Sequence, residues 1–235
     1  MGKRKLGWRP IQMRLTREHK IIMNHKKIKR IMRNYGLMVK IRRRNPYKDI
    51  MKKDLEHRTC ANILNRNFKQ NIPGKILSTD ITYLYYGMSQ RAYLSVIKDI
   101  ASKEIVSWQV SGNITLKFVL DSLDYLKNIK TIDSNTIIHS DQGSHYTSPE
   151  YRSKVKELGI IQSMSRKGNC IDNAPIESFF GHLKDDADYS GANNFGELKE
   201  IIGDYINYYN NERYQWDIKK MTPVEYRGHL LAHIE

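Results

Sequence analysis

The 235-residue chain contains no run of 18 apolar residues, so nothing in it is long and greasy enough to span a bilayer as a helix. Its N-terminus is charged throughout and lacks an apolar stretch of the kind a secretory signal needs. Cysteine is nearly absent. Cys60 and Cys170 stand far apart, with no Cys-x-x-Cys pair and no zinc-ligand spacing, which excludes a disulfide framework and a zinc module and suits a reducing cytoplasm. Internal repeats and low-complexity tracts are also missing. Hydrophobic residues make up 40% of the chain, enough for a packed core.

Acidic residues are scarce at one end only. Residues 1–69 hold 22 Lys/Arg against 4 Asp/Glu, a balance of +18, whereas residues 70–235 hold 18 against 21, a balance of −3. The net charge of +15 is therefore a property of the N-terminal third. Such a region suits a polyanion, because each phosphate it neutralises releases condensed counterions. A membrane surface fits less well, since the basic stretch has no clean apolar face. Nucleic acid is the expected partner, and the cytoplasm is the expected place.

Residues 24–35 read as a helix. Asn24 is its cap, Ile28, Ile31, Met32 and Tyr35 form an apolar stripe, and Gly36 ends it. Lys26, Lys27, Lys29, Arg30 and Arg33 occupy the other face. A shorter helical stretch precedes it around residues 9–15. Two short helices, the second basic, fit a helix-turn-helix over residues 1–45; the same pattern also fits a surface helix that docks its stripe on a larger domain. Residues 46–70 read as a basic linker, with Arg42, Arg43 and Arg44 just before it as further DNA contacts. The charge shift and Pro73-Gly74 place the start of the main domain, residues 71–235, near residue 70.

That domain alternates strands and helices. Residues 75–86, 91–100 and 104–110 are strand-like, 115–128 has helical spacing, and 135–139 makes another short strand. The next helix is punctuated by Ser148 as N-cap, Pro149 at its first position and Gly159 just past its end. Further helices are expected over 171–187 and 195–211. The order describes an α/β fold, a mixed sheet with helices packed on it.

Three carboxylates fall at telling places. Asp80 sits inside the first strand, where a charge is costly to desolvate unless it is paired or binds metal. Asp141 follows the strand at 135–139, with Gly143 allowing a tight turn, and ligand sites gather at such strand ends. Glu177 lies on a predicted helix with Asn173 at i−4 and Lys184 at i+7, close to one common face. Each has a bland explanation singly: an edge-strand Asp, a turn Asp, an exposed helix Glu. Together they could hold two divalent cations about a scissile phosphate, Mg²⁺ by preference with Mn²⁺ as a substitute, because the ligands are hard oxygens. His139, His145 and His182 lie nearby without metal-ligand spacing and read as structural or DNA-contacting.

Asp80, Asp141 and Glu177, with 35 residues between the last two, resemble the D,D(35)E pattern of retroviral-type integrases and many bacterial transposases. The segments Thr79-Asp80-Ile81-Thr82-Tyr83, His139-Ser140-Asp141-Gln142-Gly143, Asp172-Asn173-Ala174-Pro175 and Glu177-Ser178-Phe179-Phe180 resemble the second-frame (OrfB) transposases of the IS-three insertion-sequence family. So do Tyr208-Tyr209-Asn210-Asn211-Glu212-Arg213 and Met221-Thr222-Pro223-Val224-Glu225-Tyr226. The resemblance covers nearly the whole chain. It implies a ribonuclease H-like five-stranded mixed sheet with flanking helices, preceded by a small helix-turn-helix-like region. It also implies Mg²⁺-dependent strand cleavage at element ends and attack of the freed 3′-hydroxyl on another strand. Lys184 matches the family's basic position on the catalytic helix, and Asn173 is expected to touch DNA with it. A homo-oligomer on DNA and fusion to an upstream-frame product are further implications.

Two departures stand out. Leu77 occupies a position where the family usually has Trp. Gly7-Trp8-Arg9 resembles the middle of the family's N-terminal region, so the chain is expected to be short at that end, as a truncated copy or as the downstream part of the fusion. The competing expectations are an active transposase, a DNA-binding remnant or regulator without turnover, and a nuclease of the same fold without strand transfer.

Overall fold

The computed structural model describes residues 6–37, 59–129, 132–166 and 170–233. Helix α1 (Trp8–Arg17) and helix α2 (His25–Asn34) come first. Asn24 caps α2 as its sequence predicts, its side chain accepting from the Lys26 amide at 2.9 Å. Met13 of α1 and Ile28 and Met32 of α2 are buried where the two helices pack on each other.

A five-stranded sheet follows, built from β1 (Ile76–Tyr86), β2 (Gln90–Asp99), β3 (Ile105–Ser111), β4 (Ile137–Ser140) and β5 (Ile161–Met164). The spatial order is β3-β2-β1-β4-β5. The first three strands form an antiparallel meander, and β4 and β5 join in parallel. The β-branched and aromatic content of β1 to β3 favours the pleated surface. The ribonuclease H-like mixed sheet implied by the motifs is therefore present. Its fifth strand was expected only from the family resemblance and not from local pattern.

Strand alternation divides the core into two layers. Leu77 of β1 and Ile97 of β2 face one side, where they meet Phe118, Val119 and Leu123 of α3 (Leu116–Asp124). Tyr146, from the one-turn helix α4 (Ser144–Thr147), and Tyr151 and Val155, from α5 (Pro149–Glu157), complete that layer. Leu84, Leu94 and Val96 face the other side. There they meet Ile176, Phe179, Phe180 and Leu183 of α6 (Ala174–Asp186) and Ile202, Tyr205 and Tyr209 of α7 (Phe195–Asn211). Ser148 caps α5 by accepting from the Tyr151 amide, and Gly159 after it takes φ +73°, as the punctuation predicts. Leu77 is fully buried, so the smaller residue at that position is packed without leaving the core.

The last helix, α8 (Pro223–Leu231), was not anticipated. Thr222 and Glu225 form a reciprocal capping box at its start, with Pro223 in the first turn.

Candidate active site

Asp80 and Asp141 come together because β1 and β4 run parallel. Ser78 is opposite His139 in the ladder, and each aspartate lies two residues further along its own chain. Adjacent strands are about 4.8 Å apart, so the two carboxylates emerge side by side where the β4 pairing ends. Asp80 Oδ1 accepts the Ile81 amide at 2.8 Å. Asp141 Oδ1 accepts the Gly143 amide at 2.8 Å. A Cβ at position 143 would stand 2.9 Å from that same oxygen, so glycine is needed to leave the Asp141 carboxylate in place. Burial, and then the nearby Asp80 carboxylate with Tyr151 and Asp141, raise the Tyr146 phenol well above its ordinary value. One buried ring thus feels both aspartates.

Helix α6 brings in Glu177. Its apolar underside docks on the sheet, and its start is pinned by polar contacts. The Ser78 hydroxyl donates to Asn173 Oδ1 at 2.7 Å, and the Asn173 amide donates to the Thr79 carbonyl at 3.3 Å. Lys98, buried on β2, donates to the Pro175 carbonyl at 2.9 Å. Near the far end, Lys184 Nζ donates to Thr82 Oγ1 at 2.6 Å and lies 4.9 Å over the Tyr83 ring. Helix and strand therefore run alongside each other, tied at residues 78–79 and again at residue 82. Glu177 shares the face of Lys184, seven residues away, and stands opposite the stretch of β1 that carries Asp80. It is solvent-exposed in the first turn of α6.

The donor set is hard and anionic, which suits a divalent cation. Among the described residues, no three His, Cys, Asp or Glu side chains already stand close enough to hold an ion together. Asp80 and Asp141 are placed by strand register, and Glu177 is carried by the helix.

The remaining expected site residues are distributed differently. Asn173 is buried and turned to β1, so its contacts are with the strand. Lys26, Lys27, Arg30 and Arg33 are all exposed on the face of α2 away from Ile28 and Met32. Arg42, Arg43 and Arg44, with most of the 46–70 stretch, lie outside the described residues. His139 is buried, with Nδ1 2.9 Å from Ser163 Oγ, and burial lowers its pKa. Two residues were missed by sequence reasoning: Lys98, a charge inside a strand, and Asp172, two of whose partners, Asn62 and Arg66, lie far away in sequence. No helix among the described residues is long and apolar enough to cross a membrane.

Sequence and fold match known proteins. Residues 70–170 and residues 177–231 each match an integrase core domain family, and residues 2–45 match an HTH-like domain family. A simian T-cell lymphotropic virus intasome, in complex with PP2A regulatory subunit B56 gamma, superposes with a TM-score of 0.56 at 14% identity, covering 92% of this chain and 74% of that one. The HTLV-2 integrase catalytic core domain in complex with magnesium gives 0.50 at 17% identity, covering 66% and 97%. The class is thus the DDE transposases and integrases, polynucleotidyl transferases built on an integrase core.

Within that class the relatives are bacterial. The chain is 36% identical over 225 residues to the putative transposase InsK of insertion sequence element IS150 from Escherichia coli K12, covering 94% of this chain and 77% of the relative. A transposase-like protein of Haemophilus influenzae is also 36% identical, over 90% of this chain and 96% of its own length. The chain belongs to the insertion-sequence transposases of the IS3 family, with an HTH-like domain ahead of the core, and it binds DNA and serves DNA transposition.

Proposed function

We propose that Asp80, Asp141 and Glu177 are the catalytic carboxylates of this transposase and that they hold divalent metal at the scissile phosphate. The adjacency of Asp80 and Asp141, imposed by the parallel β1–β4 register, is the observation that carries this reading. Mg²⁺ is the expected ion, in agreement with the magnesium in the HTLV-2 integrase core, with Mn²⁺ as substitute and two ions per site. Bound metal supplies Lewis acidity to the phosphate and an activated oxygen nucleophile.

The chain's own residues then have distinct tasks. Asp80 and Asp141 fix the ligand geometry from the sheet, Gly143 keeps Asp141 oriented, and Glu177 closes the set from α6. Lys184, held at the edge of the site by Thr82, offers its charge to the DNA backbone. Asn173 holds the start of the helix that carries both Glu177 and Lys184. Cleavage exposes a 3′-hydroxyl at the element end. Its oxygen then bonds to a target phosphorus as the target P–O3′ bond breaks and the hydroxyl proton leaves.

Residues 1–45 act as the DNA-recognition region, with Lys26, Lys27, Arg30 and Arg33 on phosphates and Arg42, Arg43 and Arg44 beyond them. Residues 46–70 act as the linker and residues 71–235 as the catalytic core. Element ends and target are both DNA, so work on the bacterial nucleoid by a homo-oligomer follows, with or without an upstream-frame fusion partner.

A strand-transfer assay with element-end DNA and Mg²⁺ tests the assignment. Asp141→Asn should lose activity by at least about a hundredfold while end-DNA binding stays intact. Equal activity from both proteins would remove Asp141 from the mechanism.

A further inference from the structure

Asp172 opens the segment that leads into α6, five residues before Glu177, and its side chain is completely buried. An isolated buried carboxylate would be prohibitive. This one is surrounded by donors from two parts of the chain. Arg66 Nε reaches Oδ1 at 2.6 Å. Arg166 contributes Nε to Oδ2 at 3.1 Å, Nη2 to Oδ1 at 3.2 Å and its backbone amide to Oδ2 at 3.1 Å. Asn62 Nδ2 adds a fifth bond to Oδ2 at 3.0 Å. The Arg166 and Arg66 guanidiniums hold the carboxyl well below the usual range in spite of its burial.

Asn62 and Arg66 belong to a short strap immediately before the sheet. The strap runs along the open edge of β5: the Met164 amide donates to the Ala61 carbonyl at 3.3 Å, and the Ile63 amide donates to Ser163 Oγ at 3.0 Å. Ser163 in turn pairs with His139, two residues before Asp141. Leu64 is buried with Ile76 and Ile100. One strap therefore touches both the strand that leads to Asp141 and the start of the helix that carries Glu177.

We infer that Asp172 is a positioning residue. Gripped by Arg66, Arg166 and Asn62, it fixes the first turn of α6 to the strap and so sets the reach of Glu177 toward Asp80 and Asp141. The inference rests on the reading of Glu177 as a metal ligand. Asp172 and Asn173 divide the work: the first ties the helix start outward to the strap, the second ties it inward to β1. Only the carboxylate of this cluster is fully buried, and its five hydrogen bonds leave it one arrangement. Because the strap lies on the chain's path from the DNA-recognition region, docking of the strap and the geometry of Glu177 are mechanically one unit.

The test uses the full chain and compares Asp172→Asn, Arg66→Gln, Arg166→Gln and Glu177→Gln with wild type. Mn²⁺ affinity is measured by titration calorimetry, strand-transfer rate as a function of Mg²⁺ concentration, end-DNA affinity by anisotropy, and the melting temperature alongside. Asp172→Asn should weaken Mn²⁺ binding by about tenfold or more and raise the half-saturating Mg²⁺, with end-DNA affinity unchanged. High Mg²⁺ should restore much of the rate, which a merely structural lesion would not allow. Both arginine side chains reach solvent, so their variants remain informative if Asp172→Asn does not fold, and each should shift metal affinity in the same direction. Wild-type metal affinity in folded Arg66→Gln and Arg166→Gln, beside a loss in Glu177→Gln, would overturn the positioning role. Wild-type metal affinity in Glu177→Gln would instead overturn the ligand reading beneath it.

Discussion

Helices α1 and α2 are equally long, both basic and adjacent in space, yet they use their charge in opposite ways. On α1, Arg17 makes a two-pronged contact with Glu225 at 2.7 and 2.8 Å, donates to the Lys220 carbonyl at 2.9 Å and stacks 4.3 Å over Tyr214. Arg14 lies 3.7 Å from Glu212 and 5.7 Å from the Tyr208 ring. These arginines fasten α1 to the C-terminal part of the core. On α2, Ile28 and Met32 of the apolar stripe are buried beside α1 while Tyr35 at its end is exposed, and Lys26, Lys27, Arg30 and Arg33 are exposed as well. Net charge alone would credit both helices to DNA. Arg14 and Arg17 dock α1 on the core, whereas the exposed basic face of α2 is the one proposed for phosphate contact.

That division can be broken experimentally. Replacing Lys27, Arg30 and Arg33 together by Gln should give the larger effect on DNA. End-DNA affinity should fall, and the slope of log affinity against log salt should flatten by up to about three units, one per lost phosphate contact. Measured by anisotropy across a salt series, an unchanged slope would move the DNA-binding face elsewhere. Arg17→Ala should behave in the contrary way. The ion pair is partly exposed, so its loss should cost no more than about 1 kcal/mol of stability by denaturant titration. The salt slope should change by much less than a unit. A full unit lost from Arg17→Ala would mean that α1 also holds phosphate and that the contrast between the helices is false.

Parts of this architecture were readable from local pattern and parts were not. Strands β1 to β4 and helices α2, α5 and α7 announce themselves through alternation, apolar spacing and caps. Strand β5 does not: Ile161 to Met164 is four residues long, its burial does not alternate, and it exists because it pairs with β4. Helix α8 carried a legible signal in Thr222, Pro223 and Glu225, since a capping box needs only the residues beside it. At the site, Asp80 and Asp141 could be placed on their strands, but their adjacency depends on a parallel pairing that no local pattern encodes. Glu177 and Lys184 share a face because both lie inside α6. Asn173 precedes the helix as its N-cap, so helical spacing does not govern its side chain, which turns to β1. The contacts of Asp172 were hidden for a simpler reason: Arg66 and Asn62 are more than a hundred residues away.

The convergence of Asp80, Asp141 and Glu177 on metal is the central claim, and a crystal structure of the protein with Mn²⁺ tests it most directly. Anomalous scattering should place manganese between Asp80 and Asp141, with Glu177 rotated inward from α6 to complete the ligand set. Manganese bound away from these two aspartates, or no bound manganese at concentrations that support strand transfer, would contradict it.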